Sequence, residues 1–506
     1  MLSSRETEGA QMRVCGWLSG AACVGLASWL LLATRLNASE REFEVPIGQR
    51  HLFMDDIGIA SIHKLTRTMH QPVKKGAVIK PDRPWELALQ TRCAPAWDPH
   101  QKLFKLWMIT STTVPGVGGT TYAESPDGVR WTKPILGQYE VNGSKDNNFV
   151  TVDPKLDWPE NAIENALYDP DDLEASRRYK GLGNCYGREP LISADGIHWK
   201  RLDVPPIPSA DESNLNYDPQ ARLFIATLKT TPGGRRTVTL ATSKDFVQWS
   251  APVPVFSADA TDQLLAREVI AARLADATLS KPTYVNPADY AADVYNMPIF
   301  RYEGLYIGLP AIFYHTADRE NDGFHHVQLI CSRDMHDWKR LGERQAFIGP
   351  SPVDSGAYDL TQILPPSRPI VRGDELWFSY TGIKYRGGAP EGARDMGAVC
   401  LAVLRRDGFI SLDAGEQEGA VLTCPFTLPR GQFHLNVDAT DGRAVGQLCD
   451  DNGVAIPGFE ASEAISGDRL DVVVEWPNAK LEQLAGRRVR LRIVLRRAQL
   501  YSYWIE

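Results

Sequence analysis

The sequence predicts an all-β protein, a five-bladed β-propeller followed by a C-terminal β-sandwich, and three observations carry that expectation. Four times a serine, an aspartate and a tryptophan recur in one frame: Ser125-Pro-Asp127-Gly-Val-Arg-Trp131, Ser193-Ala-Asp195-Gly-Ile-His-Trp199, Ser243-Lys-Asp245-Phe-Val-Gln-Trp249 and Ser332-Arg-Asp334-Met-His-Asp-Trp338. Their spacings of 68, 50 and 89 residues fit one structural unit carrying loops of different length. An aromatic-acidic turn precedes each copy, and beyond about residue 425 the repeat gives way to simple alternating strands.

The first 40 residues read as a targeting segment. Cys15 to Ala33 is almost wholly apolar, Arg13 precedes it, and Leu36-Asn37-Ala38 is a small-residue end of the kind signal peptidase cuts. A secreted or periplasmic protein is expected, with an uncleaved membrane anchor as the alternative because the run is about 19 residues long. Residues 1–39 are therefore set apart, 40–424 assigned to the propeller and 425–506 to the sandwich.

In the repeated unit Ser and Asp can bond nearby backbone and close a tight turn, and Gly at the fourth position of two copies tolerates positive φ. Trp then gives the next strand a large anchor. Trp97-Asp98-Pro99, Tyr168-Asp169-Pro170 and Tyr217-Asp218-Pro219 open the first three units. Tyr302-Glu303-Gly304 and Gly373-Asp374-Glu375 take that place in the fourth and fifth. Each unit thus reads as inner strand, polar turn, second strand, third strand and Ser-x-Asp turn, with Arg406-Asp407-Gly408-Phe409 replacing the tryptophan turn in the fifth. In the last part, Phe433–Val437, Ala444–Leu448, Leu470–Val474 and Val489–Leu495 alternate, separated by Asp-Gly, Asn-Gly and Ser-Gly turns. Trp504 and Tyr501 near the end are read as an anchor against the first domain, with a sugar platform as the other reading.

Composition agrees: 43% apolar, 23% charged, 41 Gly and 34 Pro describe a turn-rich globular chain. A net charge of −8 argues against a nucleic-acid partner. Cys93, Cys185, Cys331, Cys400, Cys424 and Cys449 show no metal-ligand spacing and allow at most one or two disulfides, with buried thiols the simpler reading. Asp146-Asn147-Asn148 lacks the rest of a calcium motif, so a turn is expected there and no cofactor or metal is predicted.

Five blades with Ser-x-Asp turns and a sandwich ending Leu500-Tyr501-Ser502-Tyr503 resemble the five-bladed furanosidase-type glycoside hydrolases, the superfamily of invertase, levanase and arabinanase. Closer still is a family 32-like group of secreted bacterial proteins, to which His51–Asp56, Leu65–Pro72, Gly143–Asn148 and Leu435–Ala439 are similar. The resemblance spans roughly residues 45–506 and implies an exported glycosidase with a polysaccharide or oligosaccharide substrate, a monomer expected.

Such chemistry needs two carboxylates flanking the scissile bond, one a nucleophile or base and one a proton donor with raised pKa. They must sit on inner strands, just ahead of the aromatic-acidic turns. Asp211 and Glu212 in the third unit, Asp293 in the fourth and Asp354 in the fifth are the candidate catalytic acids; Arg92, Asp56, Glu164, Tyr295 and Asp359 are the candidate substrate-binding residues. The second unit also offers Glu160-Asn161. The first inner strand has no acid, only Gln90 and Arg92, whereas invertase-like families carry W-M-N-D-P-N-G there, R-D-P in the second blade and E-C in the third; none of these strings occurs. Asp55 and Asp56 could fill that place or form a closing turn, Arg92 could bind sugar or make a salt bridge, and each Asp could serve its own loop.

Three classes follow: an exported glycoside hydrolase, a carbohydrate-binding or scaffold propeller favoured by the missing first acid, and a sialidase-like enzyme. The last is disfavoured because its turn motif is one residue longer and no arginine cluster is evident in the sequence.

Overall fold

The computed structural model describes residues 43–156 and 162–506, and Glu44–Glu506 form one compact unit. The expected targeting segment, 1–39, and Glu160-Asn161 lie outside the described residues. Strands dominate, and Ala260–Ala275 is the one α-helix among the described residues. None of the described helices is long and apolar enough to cross a membrane.

The repeat read from the sequence corresponds to antiparallel strand groups. Glu86–Gln90, Leu103–Thr112 and Gly118–Ser125 pair in order, as do Ile163–Tyr168, Tyr179–Gly183, Tyr186–Ser193 and His198–Arg201. Ser213–Asp218, Leu223–Thr230, Thr237–Ser243 and Val253–Ser257 form the next. In the following group Pro298 interrupts Ala291–Asn296 and Ile299–Tyr302, and Pro310 interrupts Leu305–Gly308 and Ala311–Ala317, so the ladder divides into two sheets. Proline has no N–H to donate to a ladder.

The last group runs Gln362–Leu364, Glu375–Ile383, Gly397–Arg405, and its outermost strand is Val73–Ile79, from the amino-terminal side of the first group. A single parallel bridge, Gly397 to Ala88, also joins this group to the first.

The Ser-x-Asp turns work as the side-chain chemistry suggests. Ser193 Oγ accepts the Gly196 amide at 2.9 Å, Asp195 Oδ1 accepts those of Ile197 and His198 at 2.8 Å, and Trp199 Nε1 donates to Gly196 O at 2.9 Å. The turns at Ser125, Ser243 and Ser332 repeat the serine and aspartate bonds. The fourth position has positive φ in every copy, with Phe246 at 64° and Met335 at 67° where the others have glycine. Two strong amide acceptors thus offset the strain of a non-glycine there.

Turn carboxylates also staple neighbouring groups. Asp98 Oδ2 accepts from Tyr179 Oη at 2.7 Å and from Lys105 Nζ at 2.9 Å, and Asp218 Oδ2 accepts from Tyr306 Oη at 2.8 Å. Trp107 Nε1 donates to Gly196 O at 2.7 Å while its ring meets Trp199 edge-on at 5.7 Å. Large aromatics therefore fill the seam between groups, and their polar tips are satisfied by the turn beside them.

The carboxy-terminal sheet runs across the expected boundary at residue 424. Its ten strands include Ile410–Ala414 and Gly419–Thr423, and also His51–Leu52, Ile59–His63 and Thr66–Met69 from the amino-terminal end. A cut at 424/425 would separate strands that share one ladder. Trp504 is buried under Arg50, whose guanidinium lies 3.6 Å from the ring centroid, and Arg50 in turn binds Asp407 at 2.8 Å. Tyr501 is buried against His70. Both aromatics are anchors. The six cysteines that were weighed for disulfides are all free thiols.

Gly196 has φ +78°, and a Cβ there would lie 2.6 Å from Trp107 Cζ2. Gly196→Ala is expected to destabilise the protein by roughly 1–3 kcal/mol, read as a lower urea midpoint with an unchanged slope.

Candidate active site

The candidate residues sit where inner strands begin. Arg92 follows Glu86–Gln90, Glu164 lies in Ile163–Tyr168, Asp211 and Glu212 lead into Ser213–Asp218, and Asp293 and Tyr295 lie two apart in Ala291–Asn296. The ladder with Ala311–Ala317 shifts register between Val294 and Asn296, at Tyr295. The structure gathers all six into one cluster.

Its floor is a pair of buried ion pairs. Arg92 grips Glu212 with two nitrogens: Nε reaches Oε2, and Nη2 reaches Oε1 at 2.7 Å. Glu164 Oε2 pairs with Arg188, and its Oε1 accepts the Ser213 amide at 2.8 Å. Arg188 also donates to Asp211 O, so Glu164 and Arg188 together hold the Asp211–Ser213 segment. Asp211 has φ +106°, a region costly for any residue but glycine. Arg188 on its carbonyl and Lys229 Nζ on its carboxylate at 2.7 Å fix it there.

The two glutamates are driven apart electrostatically. Burial pushes the Glu164 carboxyl up to about 7, with the Glu212 charge adding to the rise and Arg188 and Arg92 opposing it. Burial also acts against a charged Glu212, but the Arg92 guanidinium outweighs it and, with Lys229 and Arg188, holds Glu212 at about 2. Near neutral pH one carboxyl therefore exchanges a proton while its neighbour stays ionised. Burial lowers the Lys229 pKa, and burial with the Glu212 and Asp211 charges raises that of Tyr295.

Above the floor lies a looser layer. Between Glu212, Lys229 and Tyr295 is a void of about 10 Å³, about enough for one water. Lys229 Nζ stands 4.1 Å from the Tyr295 centroid. Asp293 Oδ2 is shared by His315 Nε2 at 3.2 Å and Arg236 Nη1 at 3.4 Å. The Asp211 side chain is 44% exposed, which makes it the carboxylate of this cluster most open to solvent.

Other expected site residues lie elsewhere. Asp354, an expected catalytic acid, is exposed in the short turn Val353–Ser355. Asp359, an expected sugar ligand, is buried, accepting from Tyr380 Oη at 2.9 Å and pairing with Lys74 of Val73–Ile79 at 2.7 Å; it fastens that outer strand. Asp56 is exposed and pairs with Arg67 at 2.5 Å and Lys339 at 3.1 Å, so it belongs to a surface turn. Asn147 and Asn148 are buried and donate to backbone carbonyls, so they tie down the chain there instead of forming the expected exposed turn.

Four cations went unrecognised in the sequence as parts of the site: Arg188, Lys229, Arg236 and Arg386. They come from second or third strands and from loops, not from inner strands. The arginine cluster that the sequence does not display is assembled by the fold.

No protein-family model matches the chain, and no curated protein matches it. Among solved structures, one titled "Glycoside hydrolase" has a TM-score of 0.42 at 14% identity, covering 66% of this chain and 92% of that one. A Bombyx mori GH32 beta-fructofuranosidase has a TM-score of 0.39 at 9% identity, covering 85% and 94%. A family 43 arabinoxylan arabinofuranohydrolase from Bacillus subtilis has 0.38 at 9%, covering 85% and 99%. Likeness at this level assigns no activity or substrate.

The opposed shifts predict a pH signature. Glu164 binds its proton more tightly folded than at its ordinary 4.5, so its contribution is full below about 4.5 and is lost as pH rises through about 7. Glu212 does the reverse, contributing above its ordinary 4.5 and losing that as pH falls toward about 2. Melting curves between about pH 5 and 8 should show wild type losing stability on the order of a few kcal/mol more than Glu164→Gln.

Proposed function

We propose that the chain is a glycoside hydrolase whose strand groups are five blades of a propeller. Val73–Ile79 closes the last blade, and the carboxy-terminal sheet with its amino-terminal strands is the sandwich. One observation carries the reading: neighbouring buried carboxyls held at about 7 and about 2 by their surroundings. Glu164 is the proton donor to the leaving oxygen, Glu212 the ionised partner that stabilises positive charge developing on the sugar, and Asp211 and Asp293 position the substrate at the mouth. The substrate is a furanosidic or related glycan. The protein is exported by, or anchored through, its amino-terminal segment and acts as a monomer with no cofactor.

A second reading, a carbohydrate-binding propeller without turnover, has its own support. Arg92 stands where the first unit offers no carboxylate and occupies both Glu212 oxygens. Reducing-sugar release across plant and bacterial polysaccharides separates the two. The hydrolase reading expects release that falls by roughly 10²–10⁴-fold in Glu164→Gln, with glycan binding kept and a cooperative melting transition still present. It also expects kcat to decline as pH rises through about 7, the range in which Glu164 loses its proton. Binding by the unmutated protein without any release would establish the second reading.

A further inference from the structure

We infer that the mouth of this site is a carboxylate-binding subsite, built by Arg236 and Arg386, that selects glycans carrying uronic acid; this rests on the site being a glycan site. Arg236 comes from the hairpin tip before Thr237–Ser243, and Arg386 from the loop between Glu375–Ile383 and Gly397–Arg405. Both guanidinium carbons stand over the same two rings. Arg236 lies 5.8 Å from the Tyr295 centroid and 5.5 Å from that of Phe313, and Arg386 lies 5.4 and 4.5 Å from them. The Asn321 amide oxygen, oriented to satisfy its surroundings, accepts from Arg386 Nη2 at 3.0 Å and from Arg236 Nη2 at 3.2 Å. Asn321 O also accepts from Arg386 Nε at 3.2 Å.

Two cations thus converge on one neutral amide. Among the described residues Arg386 has no carboxylate within ion-pair distance, and Arg236 has only Asp293, at 3.4 Å and shared with His315. Around the whole site Arg92, Arg188, Lys229, Arg236 and Arg386 face Glu164, Glu212, Asp211 and Asp293, and Glu164 carries its proton up to about 7. The chain as a whole is acidic, at −8, yet the Arg386 guanidinium donates to the neutral oxygens of Asn321.

Like charges placed together are stabilised by an anion between them, and planar guanidiniums match a planar carboxylate through paired N–H donors. The faces of Tyr295 and Phe313 hold the two guanidiniums side by side.

Calorimetric titration of the full protein with oligogalacturonides, with the same oligosaccharides reduced at the carboxyl, and with sulfated galactans tests this. Oligogalacturonides are expected to bind at least about ten-fold tighter than their reduced forms at low salt. Arg386→Gln should abolish that difference, and Arg386→Lys, which keeps the charge and loses the paired donors, should restore only part of it. Equal affinity for charged and reduced oligosaccharides, no oligogalacturonide binding, or an unaltered preference in Arg386→Gln would overturn the subsite. Preference for the sulfated glycan would overturn the carboxylate assignment. Because binding is read without turnover, uronate binding with no hydrolysis would refute the hydrolase reading alone, and hydrolysis of neutral glycans without uronate preference would refute the subsite alone.

Discussion

The leading strands of successive groups approach one another without forming ladders, so the polar groups on their facing edges need partners from elsewhere. Side chains supply several of them. The Thr91 amide donates to Thr381 Oγ1, Asn165 Nδ2 to Ser213 O, Asn296 Nδ2 to Asn214 Oδ1, and Ser367 Oγ to Arg92 O. Asn216 Nδ2 spans two neighbours at once, reaching Ile299 O and Ser367 O. Short polar residues are needed here because only they can reach a neighbouring backbone without widening the gap. With these bonds made, the aromatic seams and turn staples farther out have fixed partners to pack against.

The same requirement creates the candidate site. Inner strands that leave carbonyls and amides facing inward also aim their longest charged side chains there, and buried charge is tolerated only when paired. Arg92 answers Glu212 and Arg188 answers Glu164, but the two glutamates remain close enough for the charge on one to raise the pKa of the other. Pairing therefore settles each ion without making the two carboxyls equivalent. The difference in their proton affinity follows from Arg92 binding Glu212 with two nitrogens while Arg188 divides its donors among Glu164, Asn184 O and Asp211 O.

What could be read from the sequence was whatever repeats or is local. Ser-x-Asp-x-x-x-Trp and the aromatic-acidic turns are closed by bonds within a few residues, so their spacing alone located the strands. Arg92, Glu164, Asp211, Glu212, Asp293 and Tyr295 were legible because position before a turn implies an inner strand. Asp354 and Asp359 satisfied the same positional rule and failed it for a physical reason. The segment containing them folds as a short turn ahead of Gln362, which leaves one in solvent and turns the other onto Lys74. Arg188, Lys229, Arg236 and Arg386 were not legible, since long side chains reach the site from strands and loops that no periodicity marks. Nor was the entry of residues 51–79 into two carboxy-terminal sheets, a pairing across more than 300 residues that leaves no local trace.

Polar contacts lengthen from the floor of the site to its mouth. Glu212 is held at 2.7 Å by one of two nitrogens, whereas Asp293 is shared at 3.2 and 3.4 Å and the Arg386 guanidinium hydrogen-bonds, among the described residues, the neutral oxygens of Asn321. A ligand oxygen competes poorly with a desolvated bidentate pair and well with a long, shared one in contact with water. The floor therefore keeps its charges fixed while the mouth exchanges partners. Asp211 links the two layers, its strained backbone tied down by Arg188 and its carboxylate open to solvent beside Lys229. A ligand that reached Asp211 would meet its pair with Lys229, and Lys229 also contributes to the field that keeps Glu212 ionised. Occupancy of the outer layer is thus coupled through Lys229 to the protonation of the inner one.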